Sequence, residues 1–186
     1  MKWELNFPQY SLVGFLPIDQ SNYIKEYKYN LGLWFRRYKS QNAEPHMSVA
    51  KFWDETELLN FIGRIRSFCK LAVPIEVIFD HFVFGNQNFF IEPDKFSQIS
   101  LKNITKGLHN HVGKKYSGIR PHISVARGLE ADQMNIAKEI FKDTSVHFKF
   151  LFDELHLRKF NIHRMQYSDI VETFKFTGKP QPDLFS

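Results

Sequence analysis

Apolar positions along this chain switch between a period of two and a period of three to four, and the switches divide it into strands and helices. Tyr10 to Pro17 reads as a first strand, followed by a polar–aromatic helical stretch from about Asp19 to Tyr38 that is interrupted near Gly32. Lys39 to Glu44 is a loop leading to Met47-Ser48-Val49-Ala50, a short β-branched run with strand character. Asp54 with Glu57 forms an N-cap box opening a helix to about Leu71, whose apolar stripe is Leu58, Ile62, Ile65 and Cys69. Pro74 ends that helix, and the strands Ile75–Phe84 and Phe89–Ile91 are joined by the turn Gly85-Asn86-Gln87-Asn88. Leu101, Ile104, Leu108 and Val112 mark another helix, before the loop Gly113–Arg120 and the strand run Ile123-Ser124-Val125-Ala126. A helix from Glu130 to Lys142 follows, then strands over 146–152, Leu155–Phe160 and about Ile170–Phe176; the tail Gly178–Ser186, with two prolines, is expected to be loose.

Within this pattern one phrase occurs twice. Pro45-His46-Met47-Ser48-Val49-Ala50-Lys51 is repeated as Pro121-His122-Ile123-Ser124-Val125-Ala126-Arg127, and the two histidines are 76 residues apart. Helix, loop and motif come in the same order in both halves, so the chain reads as one unit built twice. On a strand, alternate side chains share a face. His46 therefore lies beside Ser48 and His122 beside Ser124, while Met47, Val49, Ile123 and Val125 point to the core. Two such pairs facing one cleft supply a histidine to take a proton, a histidine to return it, and two hydroxyls to donate to an anion, a set suited to phosphoryl chemistry without a metal. The same parity puts Lys51 and Arg127 on the opposite face, as solvated or strand-end charges.

At these residues the chain resembles the two-histidine phosphoesterase superfamily, which includes the 2'-5' RNA ligase-like proteins and the cyclic nucleotide phosphodiesterases. The resemblance rests on both His-x-Ser copies, their shared flanks, their spacing and the total length, and it spans nearly the whole chain. It implies an α+β fold, bilobal and with pseudo-twofold symmetry, in which mostly antiparallel sheets carry both motifs on the inner strands of a central cleft. It also implies cleavage of 2',3'-cyclic phosphates, 2'-5' phosphodiesters or related ribose esters. Both motifs carry Ser where Thr is common in the superfamily, which keeps the hydroxyl but leaves the subfamily open.

Composition narrows the picture further. With 186 residues and 43% hydrophobic content, the chain can bury a real core, and its 20 phenylalanines fall mostly at strand or helix spacing, as a packed aromatic core requires. No linker of low complexity divides it, so one bilobal domain over residues 1–186 is expected, its halves sharing a core. A net charge of +5 and a pI near 9.2 favour an anionic partner, and the scattered basic residues favour a nucleotide or RNA end over a long duplex. The lone Cys69, an N-terminus without an apolar leader and the lack of any run of transmembrane length predict a cytoplasmic protein with no membrane partner, and no obligate protein partner is evident. His81, His109 and His111 read as structural or surface groups, and His147, His156 and His163 lack ligand spacing, so neither a metal nor another cofactor is expected.

The candidate catalytic residues are therefore His46 and His122, with Ser48 and Ser124 on the non-bridging phosphate oxygens. With unperturbed imidazole pKa values of about 6.5, a bell-shaped rate profile near neutrality is expected. Arg120 shares parity with His122 and is a candidate phosphate contact; Tyr116, Phe15, Phe84 and Phe90 are candidate base-stacking rings at the cleft edge. Which histidine is the acid stays open. The rival reading is a module that binds 2'-phosphorylated nucleotides or RNA ends without turnover; ATP-driven ligation lacks a recognisable nucleotidyl-transfer lysine motif or P-loop.

Overall fold

The structure is a computed structural model that describes residues 6–35, 37–116, 118 and 120–178; all but the first residue of the expected loose tail lies outside these. Twelve elements follow one another: β1 (Tyr10–Phe15), α1 (Ile18–Trp34), β2 (His46–Phe52), α2 (Glu55–Leu71), β3 (Ile75–Phe84), β4 (Asn88–Pro93), α3 (Lys95–Val112), β5 (Ile123–Arg127), α4 (Ala131–Phe141), β6 (Phe148–Phe152), β7 (Glu154–Asn161) and β8 (Gln166–Lys175). The eight strands form one sheet in the order β6-β3-β4-β5-β2-β1-β7-β8, with every pairing antiparallel. This is the α+β class read from the sequence.

A pseudo-twofold runs between β2 and β5, because β1–α1–β2–α2 recurs as β4–α3–β5–α4. The two halves are nevertheless interleaved, since β7 and β8 return from the C-terminal end of the chain to flank β1. The helices cross over as well. Tyr27 of α1 meets Phe141 of α4 at 5.2 Å and Phe82 of β3 at 5.5 Å between ring centroids, so α1 covers the half that carries the second motif. Conversely α3 packs with α2, Arg64 Nη1 donating to the Val112 carbonyl at 3.0 Å, and Phe61 of α2 lies against Phe52 of β2. Each helix that precedes a motif thus covers the half bearing the other motif, which ties the two halves together through a shared core.

Local chemistry accounts for the boundaries. Asp54 Oδ1 accepts from the Glu57 amide at 2.8 Å, the N-cap expected for α2, and Asp94 caps α3 in the same way by accepting from Ser97. Gly113 closes α3 with φ 76°, a left-handed conformation that glycine takes without a Cβ penalty. The expected break of α1 at Gly32 does not occur, and the helix continues to Trp34. Gly32 instead admits the following loop, for a Cβ there would stand 2.7 Å from Gln41 Nε2. The phenylalanines form the core they were expected to form: Phe79 stacks against both Phe148 and Phe150, and Phe82, Phe89 and Phe141 meet at centroid distances of 5.0–5.4 Å. Cys69 is buried in the core, and burial pushes its thiol up to about 12, where it is no nucleophile.

Two glycines make opposite predictions about stability. A Cβ on Gly14 would lie 2.1 Å from Phe152 Cε2, inside a fully packed part of the sheet, so Gly14→Ala is expected to cost about 1–3 kcal/mol. Gly63, in the middle of α2, meets nothing within 4 Å, and Gly63→Ala is expected to stabilise by about 0.5–1 kcal/mol. Urea denaturation of the two variants checks both signs.

Candidate active site

The two motif strands are neighbours. Met47 pairs with Ile123, both side chains being buried on the helix-covered face, and this register sets His46 opposite Ser124 and Ser48 opposite His122 on the other face. Directly opposed side chains have Cβ atoms about 4.5–5.5 Å apart and diagonal ones about 7–8 Å, so the two histidines stand on a diagonal with room for one tetrahedral group between them. Among the described residues neither serine hydroxyl has a hydrogen-bond partner, and both are free to donate to a ligand.

Both motifs then bulge at the same residue. Leu12 pairs with Ala50 and Val13 with Ser48, leaving Val49 unpaired; Phe89 pairs with Ala126 and Phe90 with Ser124, leaving Val125 unpaired. An extra residue reverses the alternation beyond it. Lys51 and Arg127 consequently turn to the histidine face and both line the cavity there, which corrects their assignment by simple parity to the opposite face. Neither valine adopts a positive φ, so the bulge left no glycine signature in the sequence. Each bulge carbonyl is held by the other half's loop or helix: the Val49 carbonyl accepts from His109 Nε2 at 3.0 Å, and the Val125 carbonyl from Ser40 Oγ at 3.5 Å. His109 is the structural residue the sequence indicated.

The imidazoles are oriented alike. His46 Nδ1 lies 2.6 Å from the Glu44 carbonyl and His122 Nδ1 lies 2.8 Å from the Arg120 carbonyl, each two residues upstream. A carbonyl only accepts, so Nδ1 carries the proton and Nε2 is the free nitrogen in both rings. Burial first, and then the charge of Arg158, lower the His46 pKa to about 3, which keeps this imidazole neutral at physiological pH. Phe90 stands beside His122 at 4.8 Å between ring centroids.

A cavity of about 770 Å³ opens on this face, with His46, Ser48, Lys51, Arg127 and Arg158 in its wall; His122 and Ser124 lie outside that lining, one strand away on the same face. The wall is strongly basic. Burial and the neighbouring Arg127 hold the Lys51 ammonium below its ordinary pKa. The loop 37–45 closes one side and is anchored by the buried Lys28, whose Nζ donates to the Ser40 and Ala43 carbonyls at 3.2 and 2.6 Å; burial brings this ammonium down to about 8. At the foot of the loop, burial opposes ionisation of Glu44, but Lys25 at 2.8 Å and Ser21 at 2.6 Å outweigh it and hold the carboxyl below its usual range.

The other sequence candidates divide. Phe15 lines a second cavity of about 500 Å³ that adjoins the first, and Phe90 flanks His122, so both reach the cleft. Phe84 does not: it stacks on the fully buried Phe89 at 4.4 Å, in the aromatic core. Tyr116 packs edge-on against His109 at 5.4 Å and is not in the wall of either cavity. Arg120 is engaged by the buried carboxylate of Glu92, so its contribution to the site is the carbonyl that orients His122. Arg158 was not singled out in the sequence at all, although it shares strand parity with His156 on the polar face of an alternating run. Among the described residues no three His, Cys, Asp or Glu side chains come together to hold a metal ion, and no helix is long and apolar enough to cross a membrane.

A fold of this order, with two His-x-Ser strands paired at a pseudo-twofold, defines a class. The chain belongs to the 2'-5' RNA ligase superfamily, a superfamily of phosphoester-processing enzymes, whose family model matches residues 16–163. The fold is shared with TT0787 of Thermus thermophilus, at 15% identity and a TM-score of 0.63 over 92% of this chain and 99% of that one. It is shared equally with E. coli LigT complexed with NADP+, at 12% identity and a TM-score of 0.63 over 91% and 98% of the two chains. Kluyveromyces marxianus Usb1 has the same fold at 13% identity and a TM-score of 0.52, over 89% and 97%. E. coli LigT has also been crystallised with 3'-AMP and with ATP. No curated protein matches the chain by sequence.

The depressed pKa of His46 makes a prediction about folding. The unfolded chain binds this proton at about pH 6.5 and the folded one only at about 3. The group's contribution is therefore present above pH 6.5 and is lost as the pH falls from about 6.5 towards 3. Urea denaturation at pH 7 and pH 4.5 is expected to show a smaller loss of stability on acidification in His46→Gln than in the parent.

Proposed function

We propose that this protein is a phosphodiesterase that hydrolyses 2',3'-cyclic phosphate or 2'-5' phosphodiester bonds on nucleotides or RNA ends, by two-histidine general acid–base catalysis without a metal. What supports the reading is the matched pair of Nδ1–carbonyl hydrogen bonds, which leaves one free Nε2 on each side of a phosphate-sized gap. The neutral His46 takes the proton of the attacking water, the water oxygen forms a bond to phosphorus, the bond to the departing ribose oxygen breaks in line, and protonated His122 gives that oxygen its proton. Ser48 and Ser124 donate to the non-bridging oxygens, and Lys51 and Arg127 offset the charge that develops on them. Phe90 is positioned to support a ring stacked near His122. The nucleotide ligands crystallised with E. coli LigT fit a substrate of this kind.

The test is hydrolysis of the four 2',3'-cyclic nucleotides and a 2'-5' dinucleotide in EDTA. Turnover is expected in the parent and is expected to fall by about 10²–10⁴ in His46→Ala and in His122→Ala. A change under tenfold in either variant sinks the assignment. With His46 as the base, the acid limb of kcat/KM lies well below the ordinary histidine range, displaced from the near-neutral bell that unperturbed imidazoles would give. An acid limb at about pH 6.5 would contradict a His46 that stays neutral across this range.

A further inference from the structure

The cleft does not end at the histidines. Beyond the first cavity, a second one continues between the N-terminal end of α1 and the β7–β8 hairpin, and the two share Arg158 and Tyr167 in their walls. Arg158 stands on β7 opposite Ser11 of β1, and β1 in turn pairs with β2. At a strand spacing of about 4.8 Å its backbone is about 10 Å from β2 and about 15 Å from β5. Lys51 and Arg127, by contrast, sit on the motif strands themselves.

The state of this arginine is unusual. Its residue exposure is 4%, its Nε is buried with no hydrogen-bond partner, and it forms no ion pair among the described residues. Arg66 is satisfied by Glu172 and Arg120 by Glu92, whereas Arg158 lies beside two ring faces, Phe15 at 5.4 Å and Tyr167 at 5.9 Å from the guanidinium carbon. Glu44, the acidic side chain in both cavity walls, is held by Lys25 and Ser21. A buried guanidinium with no ion pair is costly even with the charge of Glu44 acting on it through space, and its planar fork matches a phosphate. At the outer wall of the second cavity Arg164 adds another cation. The pseudo-twofold supplies no equivalent, because the register puts Asn88 and the Gly85 turn where Ser11 and Arg158 stand. The cleft therefore has a direction, although the fold around it is pseudo-symmetric.

We infer that Arg158 binds a second, non-reacting phosphate of the substrate, so that the cleft takes a nucleotide chain of at least two units in preference to a lone mononucleotide. This rests on the reading that the reacting phosphate lies between His46 and His122. Phe15 and Tyr167 keep the guanidinium plane in place for that phosphate, and the adjoining cavity holds the nucleoside attached to it.

Equilibrium binding separates this inference from the catalytic one. The probes are 3'-AMP and the dinucleotide ApAp, which share a terminal 3'-phosphate and differ by one nucleoside and one phosphodiester. ApAp is expected to bind the parent at least tenfold more tightly, since a charge-assisted hydrogen bond in a desolvated site carries about that much. Arg158→Gln is expected to abolish most of the difference and Arg158→Lys to keep part of it. Arg164→Ala, at an exposed position, is expected to reduce it a few-fold in a fold that is not at risk. His46→Ala is expected to retain the difference even though turnover is lost. Equal affinity of the parent for both probes, or a difference that survives both arginine variants, overturns the inference. Absence of turnover with the difference intact would count against the catalytic reading alone.

Discussion

The site depends on one seam of backbone pairing, the contact of β2 with β5 through Met47 and Ile123. That register alone brings two strands from distant parts of the chain close enough for four side chains to face one ligand. It is also the seam about which the fold is pseudo-symmetric, so both imidazoles inherit the same hydrogen bond to a carbonyl two residues upstream. Because side chains on a strand change face with every residue, a slip of one position in either strand would send that strand's histidine into the helix-covered core. The buried Met47, Val49, Ile123 and Val125 oppose such a slip, each being fully or almost fully removed from water.

Symmetry at the seam is broken by its surroundings. On one side Arg158 and the loop anchored by Lys28 surround His46 with positive charge and low polarity. On the other side Arg120 is neutralised by Glu92 and Phe90 lies beside His122. Acid–base chemistry needs two groups in opposite protonation states, and a duplicated motif supplies two equal ones. The difference in surroundings comes from the flanking strands β7 and β4, and the proposed acid–base reaction takes its direction from it.

Much of this was legible in the sequence. Period and capping signals gave the four helices and most strands, and the repeat identified His46, Ser48, His122 and Ser124 as one set. What the sequence hid was non-local. Lys51 and Arg127 were misplaced because a bulge built from valine carries no glycine or proline to announce it, and a single extra residue inverts the parity on which the exclusion rested. Arg158 went unnoticed because its meaning depends on β7 returning to pair with β1 across most of the chain. Phe84 and Phe90 are indistinguishable by composition, yet Phe84 pairs across the hairpin with the buried Phe89 and shares its core face, whereas Phe90, one residue further along β4, points to the cleft. Gly32 read as a helix breaker and turned out to be a place of close approach.

The central claim is that both histidines present a free Nε2 to one phosphate while His46 stays neutral. Nitrogen-detected NMR of the imidazole side chains, followed as a function of pH with and without 3'-AMP, reads this directly. The account predicts the Nδ1–H tautomer for His46 and His122, no protonation of His46 down to about pH 4, and perturbation of both Nε2 signals by the ligand. An Nε2–H tautomer at either residue, titration of His46 near the ordinary value of about 6.5, or a ligand response at only one ring would contradict it.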